Sequence, residues 1–232
     1  MVIKFAGLPI GIDNRFGYLK KIAKDYLTDE EPLFTVSATD ADIQKERSES
    51  EMEFSDGYLE SIVVYRKIAE TIPKYDAFVF HGAVLNYNGA AYAFTAKSGV
   101  GKTTHTGLWL SEFGDQVHYL NGDKPIIRII DGKVYASGTP WRGKEGYGVN
   151  ETAPLLGIAL LERGEKNTAN EIEPSLGILR LFGQIYLPKD KEMLKLTMKL
   201  ADRVLATVKF VELKCNMDRE AAHVAKQSLI KD

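Results

Sequence analysis

Apolar spacing is loose over the first 75 residues and sharp thereafter. Val2–Ala6 predicts a strand, and Tyr18–Leu27 predicts a short helix opening after Asp13 and Asn14. Leu33–Ala38 predicts a second strand. Asp40–Met52 is charged throughout, which fits a solvated helix or a mobile loop. Gly57–Thr71 carries Ile62, Val63 and Ile68, continued by Ile72, and predicts a helix that stops at Pro73.

From Ala77 the pattern tightens. The run A-F-V-F-H-G-A-V-L over Ala77–Leu85 predicts one buried strand. Asn88-Gly89 is a strong hairpin signal, and Ala90–Thr95 is the return strand. Lys102–Phe113 predicts a helix, and Val117–Leu120 a strand that ends at Asn121-Gly122-Asp123. Pro125–Ile130 and Lys133–Ala136 form a second hairpin around Asp131-Gly132. Pro154–Leu161 is a continuous apolar strand, and Glu173–Tyr186 is helical. Met193, Leu196, Leu200 and Val204 mark one face of a helix over Asp190–Leu205. Val208–Leu213 and Arg219–Leu229 supply a last strand and helix. Hairpins mixed with packed helices predict an α+β fold with a mixed sheet. The expected division is an N-terminal α+β segment over 1–75, packed on a main domain over 76–232.

Composition narrows the function. The 232 residues carry a net charge of −2, so no general electrostatic pull toward nucleic acid or anionic membrane is expected. The apolar start lacks the charged n-region of a signal peptide, and no stretch reaches the roughly 18 apolar residues of a membrane span. One cysteine, Cys215, forms no intrachain disulfide; a cytoplasmic setting and a buried, inert thiol are the expectation.

The chemistry concentrates in Ala96-Lys97-Ser98-Gly99-Val100-Gly101-Lys102-Thr103, followed by Thr104. This is the phosphate-cradling P-loop pattern with Ala96 in place of its first glycine. Small residues let successive backbone N–H groups turn inward around a polyphosphate. Lys102 would reach the β- and γ-phosphates and the Thr103 hydroxyl would hold Mg²⁺. A helix starting near Gly101 would add its N-terminal dipole. The strand entering the loop arrives from a tight hairpin, whereas in common parallel P-loop folds it follows a crossover helix. Asp123, at the end of the next strand, can hold Mg²⁺ or accept the proton of an attacking hydroxyl; N-G-D is also ordinary turn chemistry. His81 can bond a γ-phosphate or orient an acceptor, or be a satisfied residue of an apolar strand. Gly138–Gly148 carries Arg142, Lys144 and Trp141 among glycines, which suits a closing loop over phosphate or acceptor as well as a surface loop. There is no zinc-type Cys/His cluster, no G-x-S-x-G elbow and no N-K-x-D guanine-reading pattern.

H-G-A-V-L, the Asn-Gly hairpin, A-F-T-A-K-S-G-V-G-K-T-T and the strand ending in N-G-D resemble the catalytic domain of HPr kinase/phosphorylase. That family is similar in fold to ATP-dependent phosphoenolpyruvate carboxykinases. The resemblance covers Phe78 to Lys124, about a fifth of the chain. It implies ATP and Mg²⁺ as cofactors, Lys102 on the phosphates, Thr103 on the metal, Asp123 on metal and proton, and His81 beside the transferred phosphate. It also implies an oligomer. The family's paired Asp-Asp is here Asp123-Lys124, and R-G-K-E-G-Y-G only faintly echoes its downstream segment.

The expected activity is transfer of the γ-phosphoryl group of ATP to a hydroxyl of a protein, peptide or small molecule. Two alternatives stay open: a nucleotide-binding regulatory domain without turnover, motivated by the single aspartate, and a carboxykinase-like enzyme.

Overall fold

The computed structural model describes residues 1–97 and 99–230. Strands β1 (Val2–Phe5) and β2 (Leu8–Asp13) form an antiparallel hairpin, and β3 (Phe34–Ser37) pairs parallel to β2. Helix α1 (Gly17–Ile22), a 3₁₀ turn over Lys24–Tyr26, and helices α2 (Asp40–Ser48) and α3 (Asp56–Thr71) accompany this sheet. The charged segment is helical because Thr39 caps it. Its hydroxyl accepts the Asp42 N–H while the Asp42 carboxylate accepts the Thr39 N–H. The core here joins Ile3, Leu8, Ile10, Leu59, Val64 and Ile68 to Ala77, Val79 and Ile126 from beyond residue 75.

The remaining strands build one nine-stranded mixed sheet. They are β4 (Ala77–Val79), β5 (Ala83–Tyr87), β6 (Ala90–Thr95), β7 (Val117–Asn121), β8 (Ile126–Ile130), β9 (Lys133–Ser137), β10 (Thr152–Arg163), β11 (Thr168–Glu171) and β12 (Lys209–Cys215). The order is β4-β8-β9-β10-β6-β5-β7, with β12 pairing to β10 and β11. Strands β6, β10 and β12 run parallel, whereas β5 is antiparallel to both β6 and β7. The β5–β6 turn places Asn88 and Gly89 at φ 50° and 86°, the positive values an Asn-Gly hairpin demands.

Alternation along β6 shows how the layers form. Ala91 and Ala93 face a core shared with α5 (Pro174–Phe182) and α6 (Lys191–Thr207). Tyr92 and Phe94 face the opposite core, filled by Trp109 and Phe113 of α4 (Lys102–Phe113) and by Ala222, Ala225 and Leu229 of α7 (Glu220–Leu229). The fold is therefore α+β, with helices on both faces of a mixed sheet.

Three expectations are corrected. Ala77–Leu85 is two strands that serve different neighbours, β4 beside β8 and β5 between β6 and β7. Between them the N–H groups of Phe80, His81 and Gly82 donate to the carbonyls of Pro125, Gln184 and Asp123, so the chain leaves the ladder there. The helix expected over Glu173–Tyr186 stops at Phe182, because Ile185 bridges to Phe80 and the Tyr186 N–H donates to Val79 O. Strand β11 was not expected. It is an edge strand with mostly exposed, polar residues and so carries no apolar pattern. No helix among the described residues is long and apolar enough to cross a membrane.

Candidate active site

Strand register brings the distant sequence features to one edge. Ala83 pairs with Phe94, so the start of β5 lies beside the end of β6, where the P-loop begins. Val84 pairs with Asn121, so the same point of β5 lies beside the end of β7. His81, the loop after Thr95 and Asp123 thus converge although 42 residues separate the first from the last. The Gly82 N–H donates to Asp123 O at 3.1 Å, and His81 Nε2 lies 3.4 Å from Asp123 Oδ1. Thr95 Oγ1 sits 2.8 Å from His81 O and 2.6 Å from Gln184 Oε1. Gln184 carries no motif and was not expected; only its place beside the β4 edge brings it in.

The loop turns on positive φ at Gly99 (76°) and Gly101 (122°), but not at Ala96, which explains why alanine is accepted at the first position. Ala96 is buried, Lys97, Thr103 and Thr104 are exposed, and Val100 and Lys102 are half-buried. Ser98 lies outside the described residues. Helix α4 has no side-chain cap at Gly101, and its first internal bond is His105 N–H to Gly101 O. The Val100 N–H donates to Lys97 O, whereas the N–H groups of Lys102, Thr103 and Thr104 have no partner among the described residues, the arrangement that favours an anion. Thr106 Oγ1 meets Tyr119 Oη at 2.7 Å, and Tyr119 stacks on Tyr147, so α4, β7 and the 138–149 loop are tied together.

The Asp123 turn is organised by a buried asparagine. Asn121 Oδ1 accepts the N–H groups of Asp123 and Lys124 at 2.8 and 2.7 Å, while its amide donates to Thr139 O and Oγ1 at 3.1 Å. Burial alone would raise the Asp123 pKa. The His81 imidazole and the Lys124 ammonium, 2.9 Å from Oδ1, outweigh it, and the net shift is downward. Asp123 is therefore a carboxylate at neutral pH. Both neighbours use Oδ1, and Oδ2 has no partner among the described residues. Burial pushes the Lys102 ammonium down; Asp123 pulls it back up and Lys124 adds repulsion. Lys102, Asp123 and Lys124 thus form one electrostatic unit.

One carboxylate oxygen without a protein partner and an exposed threonine hydroxyl suit Mg²⁺, which keeps several waters and takes one or two protein oxygens beside phosphates. Among the described residues no cluster of three His, Cys, Asp or Glu forms a dedicated metal cage. The backbone between Arg142 and Lys144 lies against Asp123: a Cβ at Gly143 would come 2.9 Å from the Asp123 Cβ. The Arg142 guanidinium turns to Asp25 Oδ2 at 3.2 Å and lies over the Tyr26 ring, and Lys144 is exposed. Arg142 carries Trp141 with it, whose indole N–H donates to Ser61 O.

On the other side of the loop, at the ends of β10 and β12, lies a cavity of about 460 Å³ lined by Val100, His105, Leu161, Cys215 and Met217. The Arg163 guanidinium donates to Gly99 O at its rim, 2.7 Å away. His105 is 3% exposed, and burial pushes its pKa down to about 4. Between about pH 4 and the ordinary 6.5, the unfolded chain binds this proton and the folded chain does not, so stability rises with pH across that window and levels off above it. Stability should fall by on the order of 3 kcal/mol from pH 7 to pH 4 through this group. Denaturation midpoints at pH 7, 5 and 4 check it: His105→Leu should flatten this limb, and an unchanged slope would refute the cause.

No family model matches the chain, and no curated protein matches it. Among solved structures it is similar to the HPr(Ser) kinase/phosphatase from Coxiella burnetii, at 11% identity and a TM-score of 0.32. The match covers 53% of this chain and 92% of that one, a distant likeness of fold.

Proposed function

We propose that the protein is an ATP- and Mg²⁺-dependent phosphotransferase acting on a hydroxyl acceptor. The observation that carries this reading is the strand register that sets His81 and Asp123 beside the start of the P-loop. Loop N–H groups and Lys102 receive the β- and γ-phosphates. Thr103 Oγ1 and Asp123 Oδ2 would hold Mg²⁺, which when bound neutralises charge on those phosphates. The acceptor oxygen bonds to the γ-phosphorus as the bond to the β,γ-bridging oxygen breaks, and ADP leaves with that electron pair. The hydroxyl proton is lost to solvent, and the Asp123 carboxylate, whose Oδ2 would be taken by the metal, orients the acceptor rather than receiving its proton. A carboxylate of lowered pKa suffices, because in a loose transition state the acceptor proton is lost late. His81 and Lys124 hold Oδ1, so only Oδ2 faces the reaction.

The Lys124–Asp123 contact favours one rival, nucleotide binding without turnover, because the ammonium partly neutralises the lone carboxylate. The test measures ADP and acceptor mass with Mg·ATP over a panel of serine peptides, alcohols and sugars. Asp123→Asn should cut turnover about 100-fold while ATP binding changes little. Tight ATP binding with no wild-type turnover across the panel would favour the rival.

A further inference from the structure

One side chain lining the cavity beside α4, His105, carries a buried polar atom that no described residue uses. His105 Nε2 accepts the Trp109 indole N–H at 3.2 Å. A neutral imidazole that accepts at Nε2 carries its proton on Nδ1. Nδ1 is buried and has no partner among the described residues. A buried donor without an acceptor is costly, and such groups are few in folded proteins. Here the ring lines the cavity, whose apolar wall is Val100, Leu161, Cys215 and Met217 and whose polar lining is Thr104, Arg163 and Asn216. The Arg163 guanidinium is engaged by Gly99 O. Asn216 is already occupied with Glu165, Asn167 and Asp218.

Position supplies the second argument. Strands β10 and β12 run parallel to β6, on the side of it away from β5 and β7. The P-loop therefore has the Asp123 cluster on one flank and this cavity on the other. A nucleotide whose γ-phosphate faces Asp123 extends its other end toward β10 and β12. A volume of about 460 Å³ lies within the range of small-ligand sites, and a partly apolar wall with a few polar groups suits a heteroaromatic ring.

We infer that this cavity receives the base of the nucleotide and that His105 Nδ1–H donates to an acceptor atom of that base. The inference rests on the phosphotransferase reading above and adds to it a residue that reads the base. Trp109 acts through His105 by fixing the tautomer.

Calorimetry with ATP and with inorganic tripolyphosphate separates base from phosphate binding. His105→Phe should weaken ATP about tenfold and leave tripolyphosphate within about twofold. Cys215, the sole cysteine and part of the cavity wall, gives a second measurement on the unaltered protein. ATP should slow its alkylation by N-ethylmaleimide at least about fivefold, and tripolyphosphate should not, since only a ligand filling the cavity covers the thiol. If His105→Phe fails to fold, the alkylation result decides. Equal affinity of the wild type for ATP and tripolyphosphate, or ATP without protection of Cys215, overturns the base site alone. Failure of the wild type to bind either ligand overturns the nucleotide reading with it.

Discussion

Lys102→Ala should lower kcat/KM for phosphoryl transfer by about 10³–10⁴-fold, or roughly 4–5 kcal/mol of transition-state stabilisation. The ammonium is half-buried at the first position of α4, between the loop and Asp123, and burial already presses its pKa down. A charge held partly desolvated interacts strongly with the oxygens that gain charge as the β,γ bond breaks. Alanine leaves the loop N–H groups in place but removes an ammonium whose field reaches Asp123. Stability should change by less than about 1 kcal/mol. Alanine is the best helix former, and the change relieves both a desolvation cost and the repulsion from Lys124. Turnover assays beside circular dichroism and denaturation separate the two effects. A variant that keeps more than about a tenth of wild-type turnover would sink the assignment of Lys102.

Local signals identified most elements because their cause is local. Asn88-Gly89 and Asp131-Gly132 fix hairpins through positive φ at the turn, and both pairs adopt it. Helix α4 runs from Lys102 to Phe113 as its spacing predicts. What escaped was set by partners far along the chain. Nothing within F-V-F-H-G-A-V-L signals that Phe80 will bond Pro125 O while Ala83 pairs with Phe94, so two strands read as one. The 173–186 helix was overrun for a similar reason, since Ile185 is recruited to the edge of β4.

The candidate site was legible where a motif carries its own mechanism. The loop glycines and Lys102 are such residues, and the N-G-D turn at a strand end is another. Asn121 proves to be the organiser of that turn, through bonds to Asp123, Lys124 and Thr139 that spacing does not encode. Gln184 and Arg163 join the site from distant elements without any local pattern. Arg142 sits in a glycine-rich segment that suits a closing loop over phosphate or acceptor as well as a surface loop. In the fold it is spent on Asp25 and the Tyr26 ring, joining the long loop to the N-terminal sheet. His105 was silent in the sequence, since a polar residue in the first turn of a helix is ordinary. Its burial and its unpartnered Nδ1 appear only once α4 packs against β6 and the ends of β10 and β12.

The loop that runs from Gly138 to Val149 depends on one close approach. A Cβ at Gly138 would overlap the Val149 carbonyl oxygen and lie 2.5 Å from Leu120 O. Both obstacles are backbone, so no side chain can rotate away. Leu120 O meanwhile accepts the Val149 N–H at 3.1 Å, and the Gly138 N–H donates to Glu151 O at 3.0 Å. Gly138→Ala must therefore part the loop from β7 one residue before Asn121, the side chain that holds the Asp123 turn. The expected loss is roughly 4 kcal/mol of stability, at the severe end for a single added methyl because two backbone segments must separate. Gly89→Ala provides the contrast: φ is 86° there, but nothing lies within 4 Å, so the cost is backbone strain of about 1 kcal/mol. Denaturant midpoints with unchanged slopes would measure both. If the approach matters as argued, the folded fraction of Gly138→Ala also loses turnover, because Asp123 no longer faces the loop, whereas Gly89→Ala keeps it. Similar midpoints for the two variants would mean that the β7 end and the long loop are not coupled through Leu120.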